Sequence, residues 1–395
     1  MTGRKYILAL MFGFCALLST AQINTDRVTL IGRNALYYED YVLSIQYFNQ
    51  VIKAKPHLAE PYYYRAIAKF MLDDDKGAED DCSACISRNP FIMNAYALRA
   101  DARLNLGDYD GAIADYQLGL KENPTSKGIL INRGLAYTHK KDYDGAESSF
   151  NDLTRFYPNF IQGYLARGAM FVEKGDTVRG LEDYGKAIEM DKYFPQSYSM
   201  RGLVFYAQHK YDDALADLNE AIKLEPSAIG NYINRGLVKY TTNDLRGAMA
   251  DYDKVVEVES NNLIARFNRG LLRAQVGDDN RAIEDFDIVI QQEPDNLMAY
   301  INRALLKSNI ADYKGALKDL NIVLKEYPDF YQGFYTRADI KRKQNDLKGA
   351  EQDVAYARKE EDRISREALK SHEAVIDKTR EKSDKEINKF NLLVI

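Results

Sequence analysis

The sequence predicts an all-α protein built as a linear array of about ten repeated helix pairs, and three observations predict it. Prolines Pro56, Pro90, Pro124, Pro158, Pro226, Pro294 and Pro328 are separated by multiples of 34 residues, with Lys192 and Ser260 at the two points the series skips. Twelve residues before each point stands a small residue, namely Ser44, Ala78, Ala112, Ala146, Gly180, Ala214, Ala248, Ala282 and Ala316, and Ala350 adds a tenth. Four residues after each comes a larger one, Phe48, Cys82, Tyr116, Phe150, Tyr184, Leu218, Tyr252, Phe286, Leu320 and Val354, the spacing that lines one face of a helix.

In chain order, the first element is a targeting segment over residues 1–21. Arg4 and Lys5 give it a positive start, Ile7 to Leu18 an apolar run, and Ser19-Thr20-Ala21 a small-residue cleavage site, so the mature chain is expected from Gln22. The run of about a dozen residues is short of the roughly 20 that span a bilayer. Cys15 follows Phe14 rather than a small residue, which disfavours lipid attachment.

The array then occupies residues 22–360. Each unit divides at a turn such as Gly107-Asp108-Tyr109, Lys141-Asp142-Tyr143 or Ala311-Asp312-Tyr313, where glycine or a short polar side chain tolerates a tight reversal. A proline ends each unit, because it cannot continue a helix interior and suits the first turn of the next helix. Residues 361–395 change character. Glu, Lys, Arg and Asp dominate around a thin stripe of Ile364, Leu369, Ile376 and Ile387, as expected of a helix capping the array, and the end Phe390-Asn391-Leu392-Leu393-Val394-Ile395 is apolar.

A 34-residue period with small, aromatic and proline positions resembles the tetratricopeptide repeat over roughly residues 25–360. Tyr62, Tyr96, Tyr164, Tyr198, Tyr232 and Tyr300 stand where the family motif has tryptophan, a residue this chain lacks. The resemblance implies a right-handed solenoid with a continuous core and a long concave surface.

Composition excludes several functions. The net charge of -5 provides no general basic field for phosphates, so nucleic acid is not an expected partner. Only Cys82 and Cys85 accompany Cys15, too few for a disulfide scaffold. These two occupy inward repeat positions and are expected to pack as small hydrophobes. The four histidines are scattered, and no phosphate-binding glycine loop or nucleophile elbow occurs, so neither catalytic residues, metal nor cofactor is expected.

The most regular charged feature is a ladder of arginines 34 residues apart, Arg65, Arg99, Arg133, Arg167, Arg201, Arg235, Arg269, Arg303 and Arg337. Sixteen residues after them come Asp81, Asp115, Asp183, Asp217, Asp251, Asp285, Asp319 and Asp353, with Ser149 replacing the acid after Arg133. A guanidinium fork suits a carboxylate, so the pattern reads as a structural ion-pair ladder rather than an anion-binding spine.

Before four arginines stand Asn132, Asn234, Asn268 and Asn302. An amide can both donate to and accept from a peptide group, and this series resembles the asparagine ladder in the tetratricopeptide superhelix of O-GlcNAc transferase. Leu203, Tyr206, Leu237, Tyr240, Leu271 and Leu305 are expected to flank it on the same face as an apolar lining. The lysine and asparagine set by which chaperone-binding relatives clamp a terminal carboxylate is missing.

These features point to an exported, periplasmic or surface-associated scaffold whose concave groove binds an extended peptide or helix of a partner protein. The competing class is a structural subunit of an outer-membrane or secretion complex, using its convex face or terminal helix. Neither class takes a small-molecule substrate. The export signal resembles that of Bacteroidetes-type bacteria.

Overall fold

The computed structural model describes residues 24–370, and every regular element among them is a helix. The targeting segment and the apolar end lie outside the described residues. The first compact unit, Met1–Met190, carries α1 (Thr25–Tyr37), α2 (Tyr41–Ala54), α3 (Glu60–Phe70), α4 (Asp75–Arg88), α5 (Met93–Asn105), α6 (Tyr109–Glu122), α7 (Lys127–His139), α8 (Tyr143–Phe156), α9 (Ile161–Lys174) and α10 (Thr177–Met190). The second, Asp191–Ile395, carries α11 (Pro195–Ala207), α12 (Tyr211–Leu224), α13 (Ile229–Thr241), α14 (Leu245–Val258), α15 (Leu263–Gln275), α16 (Asp279–Gln292), α17 (Leu297–Asn309), α18 (Tyr313–Glu326), α19 (Tyr331–Lys343) and α20 (Leu347–Lys370). Odd-numbered helices are the first of a pair and even-numbered the second. Within each unit every helix packs on its neighbours in sequence, the pattern of stacked helical hairpins.

The turn inside each pair is the same device ten times. A residue with positive φ stands at Glu39, Asp73, Gly107, Lys141, Gly175, His209, Asn243, Gly277, Ala311 and Asn345. The next backbone N–H then bonds a carbonyl five residues back, as in Asp108 N to Arg103 O at 2.9 Å and Asp312 N to Lys307 O at 2.7 Å, which closes a Schellman motif. In most pairs that next residue is an aspartate whose carboxylate accepts from an N–H three residues on, as Asp108 does from Gly111 and Asp312 from Gly315 at 3.0 Å. One residue thus ends one helix and caps the next. Lysine, glutamate, histidine and alanine hold the left-handed position too, so the expected restriction to glycine or short polar residues does not apply.

The repeat prolines lie in the loops between pairs rather than in the first helical turn; Pro56 precedes α3 by several residues and Pro124 precedes α7. Prolines in a first turn are Pro61 and Pro195, outside the 34-residue series.

Burial follows the small-and-large spacing. The small residue of all ten second helices is buried, and nine of the ten larger ones are too, Val354 being half-buried. Fully burying such a side chain contributes roughly 1.5–3 kcal/mol. The first helix answers with a glycine where the ring arrives: a Cβ built on Gly134 would lie 2.5 Å from Phe150, and one on Gly168 2.7 Å from Tyr184. Close approach, not flexibility, selects glycine there.

The charged segment from residue 361 does not begin a separate capping helix. It continues the second helix of the tenth pair, since α20 runs unbroken for 24 residues. Glu, Ala, Arg and Lys favour propagation, and neither proline nor a left-handed residue intervenes. Tyr335 donates to Glu361 at 2.8 Å and Arg363 pairs with Asp329 at 3.0 Å, tying this extension to its own hairpin.

Candidate functional site

Each ladder arginine rises from a first helix, and all but Arg133 fork onto the aspartate of their own second helix. Nε of Arg269 donates to Asp285 at 2.9 Å and Nη2 at 2.6 Å; Arg167 reaches Asp183 at 2.8 and 2.7 Å, and Arg201 reaches Asp217 at 2.8 Å twice. Arg235 to Asp251 and Arg303 to Asp319 repeat the fork, and all five of these aspartates are buried. Arg133, which lacks an acid at this register, donates to Ser149 at 3.0 Å. The free nitrogen of most arginines turns back to the second helix of the preceding pair: Arg65 to Asn49, Arg167 to Asn151 at 2.7 Å, Arg235 to Asn219 at 2.8 Å, and Arg269 to Asp253 at 2.8 Å. A guanidinium therefore joins three helices.

Two further series complete this ladder, and the first of them was not singled out above. Lys69, Arg103, Lys239, Arg273, Lys307 and Lys341 stand four residues after an arginine, and each pairs with the same aspartate, as Arg273 does with Asp285 at 2.7 Å and Lys341 with Asp353 at 2.8 Å. Their 34-residue spacing is visible in the sequence. The tyrosines at the tryptophan position carry the arginines on their rings, at 5.5 Å for Arg167 over Tyr164 and 5.3 Å for Arg303 over Tyr300. Hydrogen bonds donated to Asp183 and Asp217 raise Arg167 and Arg201 above their ordinary range. Burial works against the charge of Arg269 and Arg303, but their aspartates outweigh it and raise both. These cations are committed to the fold.

The asparagines are placed differently from the expectation. Asn234 is fully buried and Asn268 is 6% exposed, so neither presents an amide to a ligand in this structure. Their position falls between successive first helices, where stacking covers it. Asn302 is half-buried and donates to Met298 of its own helix at 2.8 Å, and Asn132 donates to Asp101 at 2.8 Å.

The apolar lining is graded. Leu203 is buried, which removes it from an accessible face. Tyr206, Leu237, Tyr240 and Leu271 are half-buried. Tyr240 packs with Ala248, Tyr252 and Leu272, and Leu271 packs against the cluster around Phe267 and Phe286. Leu305 is 44% exposed. In the second unit the first helices α13, α15 and α17 thus carry Leu237, Leu271 and Leu305 at one repeat position, the first two half-buried and the third exposed.

Cys82 and Cys85 are free thiols buried in α4. Burial raises both, Cys85 to about 11, so neither is a ready thiolate. Among the described residues no His, Cys, Asp and Glu side chains gather as a metal-ligand set.

Models of the tetratricopeptide repeat match residues 97–159 and 195–228. The chain carries tetratricopeptide repeats. A tetratricopeptide repeat protein from Parabacteroides merdae shares its fold, with a TM-score of 0.53 at 17% identity over 63% of this chain and 98% of that one. Yeast Tom70 aligns over 89% of this chain and 99% of its own at 14% identity and a TM-score of 0.42, and Pseudomonas aeruginosa PilF over 51% and 92% at 20% and 0.47. No curated protein matches the chain. Tetratricopeptide repeat proteins mediate protein–protein interactions and are typically non-catalytic scaffolds, which fits a repeat protein whose regular charges are internally paired.

Proposed function

We propose that this chain is an exported, non-catalytic scaffold of the cell envelope that holds an extended segment of a partner protein along its first-helix face. The observation that carries the reading is the row Leu237, Leu271 and Leu305 with Tyr206 and Tyr240, apolar side chains left half-buried or exposed at matching positions of consecutive first helices. Contiguous apolar surface of this kind favours a partner over water. The charged start, apolar run and small residues before Gln22 support export to the periplasm or surface. Affinity capture from an envelope fraction tests it, comparing wild type with a variant carrying Leu237, Leu271 and Leu305 changed to serine. Loss of specific partners from a variant of unchanged helicity is expected; an unchanged partner set refutes the reading. A second reading, a structural subunit of an envelope assembly, is favoured by exposed Tyr37, Tyr38, Met71 and Leu72 at the turn ends of the first two helix pairs, and by retention of partners in that same variant.

A further inference from the structure

At the position that carries Leu135, Leu203, Leu237, Leu271 and Leu305 in other repeats, α5 carries Asp101. The side chain sits at a seam of three helices. Tyr116 of α6 donates its hydroxyl to Oδ1 at 2.6 Å, and Asn132 of α7 donates its amide to the same oxygen at 2.8 Å. Oδ2 accepts from no described residue and is not sealed from solvent. The arginines on the same helix are engaged elsewhere, Arg99 with Asp115 at 2.7 Å and Arg103 with Glu79 at 3.0 Å and Asp115 at 2.9 Å. Asp101 therefore differs from the ladder aspartates, each of which meets an arginine. Two neutral donors orient its carboxylate, and no described cation neutralises it.

We infer that Asp101 receives the lysine or arginine side chain of a bound peptide on the first-helix face of the first unit. Resting on the peptide-binding reading above, this names the partner's chemistry. Charge complementarity decides the occupant. Burial raises Asp101 above its usual range, an energetic penalty on the carboxylate that an arriving cation would relieve while Tyr116 and Asn132 hold Oδ1 in place. Half-buried Ile67 on α3 and Leu135 on α7 occupy the same repeat position on either side. Neighbouring helices pack about 8–10 Å apart and an extended chain advances about 3.3 Å per residue, so one repeat corresponds to about three peptide residues. The preferred peptide carries a basic residue with an apolar residue about three positions away on at least one side.

The test is selection of a phage-displayed library of random dodecapeptides on the full mature chain, followed by affinity measurement of the selected synthetic peptides. Wild type is expected to select Lys or Arg with that apolar spacing. Asp101→Asn, which preserves the shape of the side chain, is expected to weaken those peptides about 10- to 100-fold, the range of a hydrogen bond to a charged group. Replacing the basic residue by methionine, measured on unaltered protein, is expected to cost the same, and the two changes together no more than either alone. Selected peptides that lack a basic residue, or that Asp101→Asn leaves within twofold, overturn this inference while peptide binding stands. Selection of no peptide overturns both.

Discussion

Asp285 offers the sharpest measure of what the ladder contributes. Its carboxylate is fully buried and accepts from Arg269 at 2.9 and 2.6 Å, Arg266 at 2.8 Å and Arg273 at 2.7 Å. Asp285→Asn keeps the volume and leaves three guanidinium groups around a neutral amide. Breaking a buried ion pair from one side costs about 3–5 kcal/mol. The arginine side chains remain 10–14% exposed, and Asp253 still takes Arg269 at 2.8 Å, so the lower end applies. We expect a loss of about 3 kcal/mol, roughly a 150-fold shift in the local folding equilibrium. Repeats open locally, so native-state hydrogen exchange of the amides in α15 and α16 is the appropriate assay. Arg133→Ala is the internal comparison. There the acceptor is the Ser149 hydroxyl and the nearest carboxylate, Asp152, is 3.8 Å away, so the expected cost is below about 1 kcal/mol. A loss under about 0.5 kcal/mol for Asp285→Asn, or equal losses at both sites, would refute the reasoning.

Four further outcomes are expected. Gly134→Ala should destabilise by about 1–2 kcal/mol in urea unfolding, because its Cβ would meet the buried Phe150 ring, whereas Gly128→Ala, with nothing within 4 Å, should be neutral or stabilising. Ala311→Gly should stabilise by roughly 0.5 kcal/mol, since φ at this turn is 65° and the left-handed penalty on alanine exceeds the unfolded-state entropy glycine adds. With its thiol pushed to about 11 by burial, Cys85 should be about 0.1% thiolate at pH 8, so a disulfide reagent should modify Cys82 and Cys85 only after denaturation. Burial would raise Asp353, but hydrogen bonds from Arg337 and Lys341 outweigh it and hold it below its usual range. Its contribution to stability is therefore present above the ordinary Asp value and lost as pH falls through the lowered one; Asp353→Asn should flatten that acid limb of the hydrogen-exchange profile in α19 and α20.

Much of the fold was legible because a strict period converts each position into a direction. Ala282 and Phe286 must share a face, and their copies in nine other repeats must share the equivalent one, so the buried stripe follows from spacing alone. The Arg269–Asp285 pairing was readable for the same reason, and so was Arg273, whose period was as plain as that of Arg269. The asparagines were less accessible to this reasoning. Whether Asn234 looks outward depends on how steeply successive first helices lean on each other, a property of three-dimensional stacking that sequence spacing does not encode. The left-handed position of the turns, unlike the aspartate that follows it in most pairs, had no compositional signature, since Glu39, Lys141 and His209 adopt the conformation that the surrounding Schellman bonds impose. Asp101 was hidden by the opposite circumstance: it breaks the period, and its importance depends on Tyr116 and Asn132 converging from two other helices.

The three-helix reach of the ladder arginines bears on how such a chain can change length. Arg235 grasps a partner sixteen residues behind it, Asn219, and another sixteen ahead, Asp251; Arg269 does the same with Asp253 and Asp285, and Arg303 with Asp287 and Asp319. Duplicating or excising a whole period of 34 residues inside such a run regenerates both grasps, so no guanidinium or carboxylate is stranded. A gain or loss of any other length within one of these sixteen-residue intervals shifts the register of that grasp. The ladder thus tolerates growth and shrinkage by complete modules while penalising every partial one, and modular duplication is the path along which an array of this kind can be lengthened without first being destabilised.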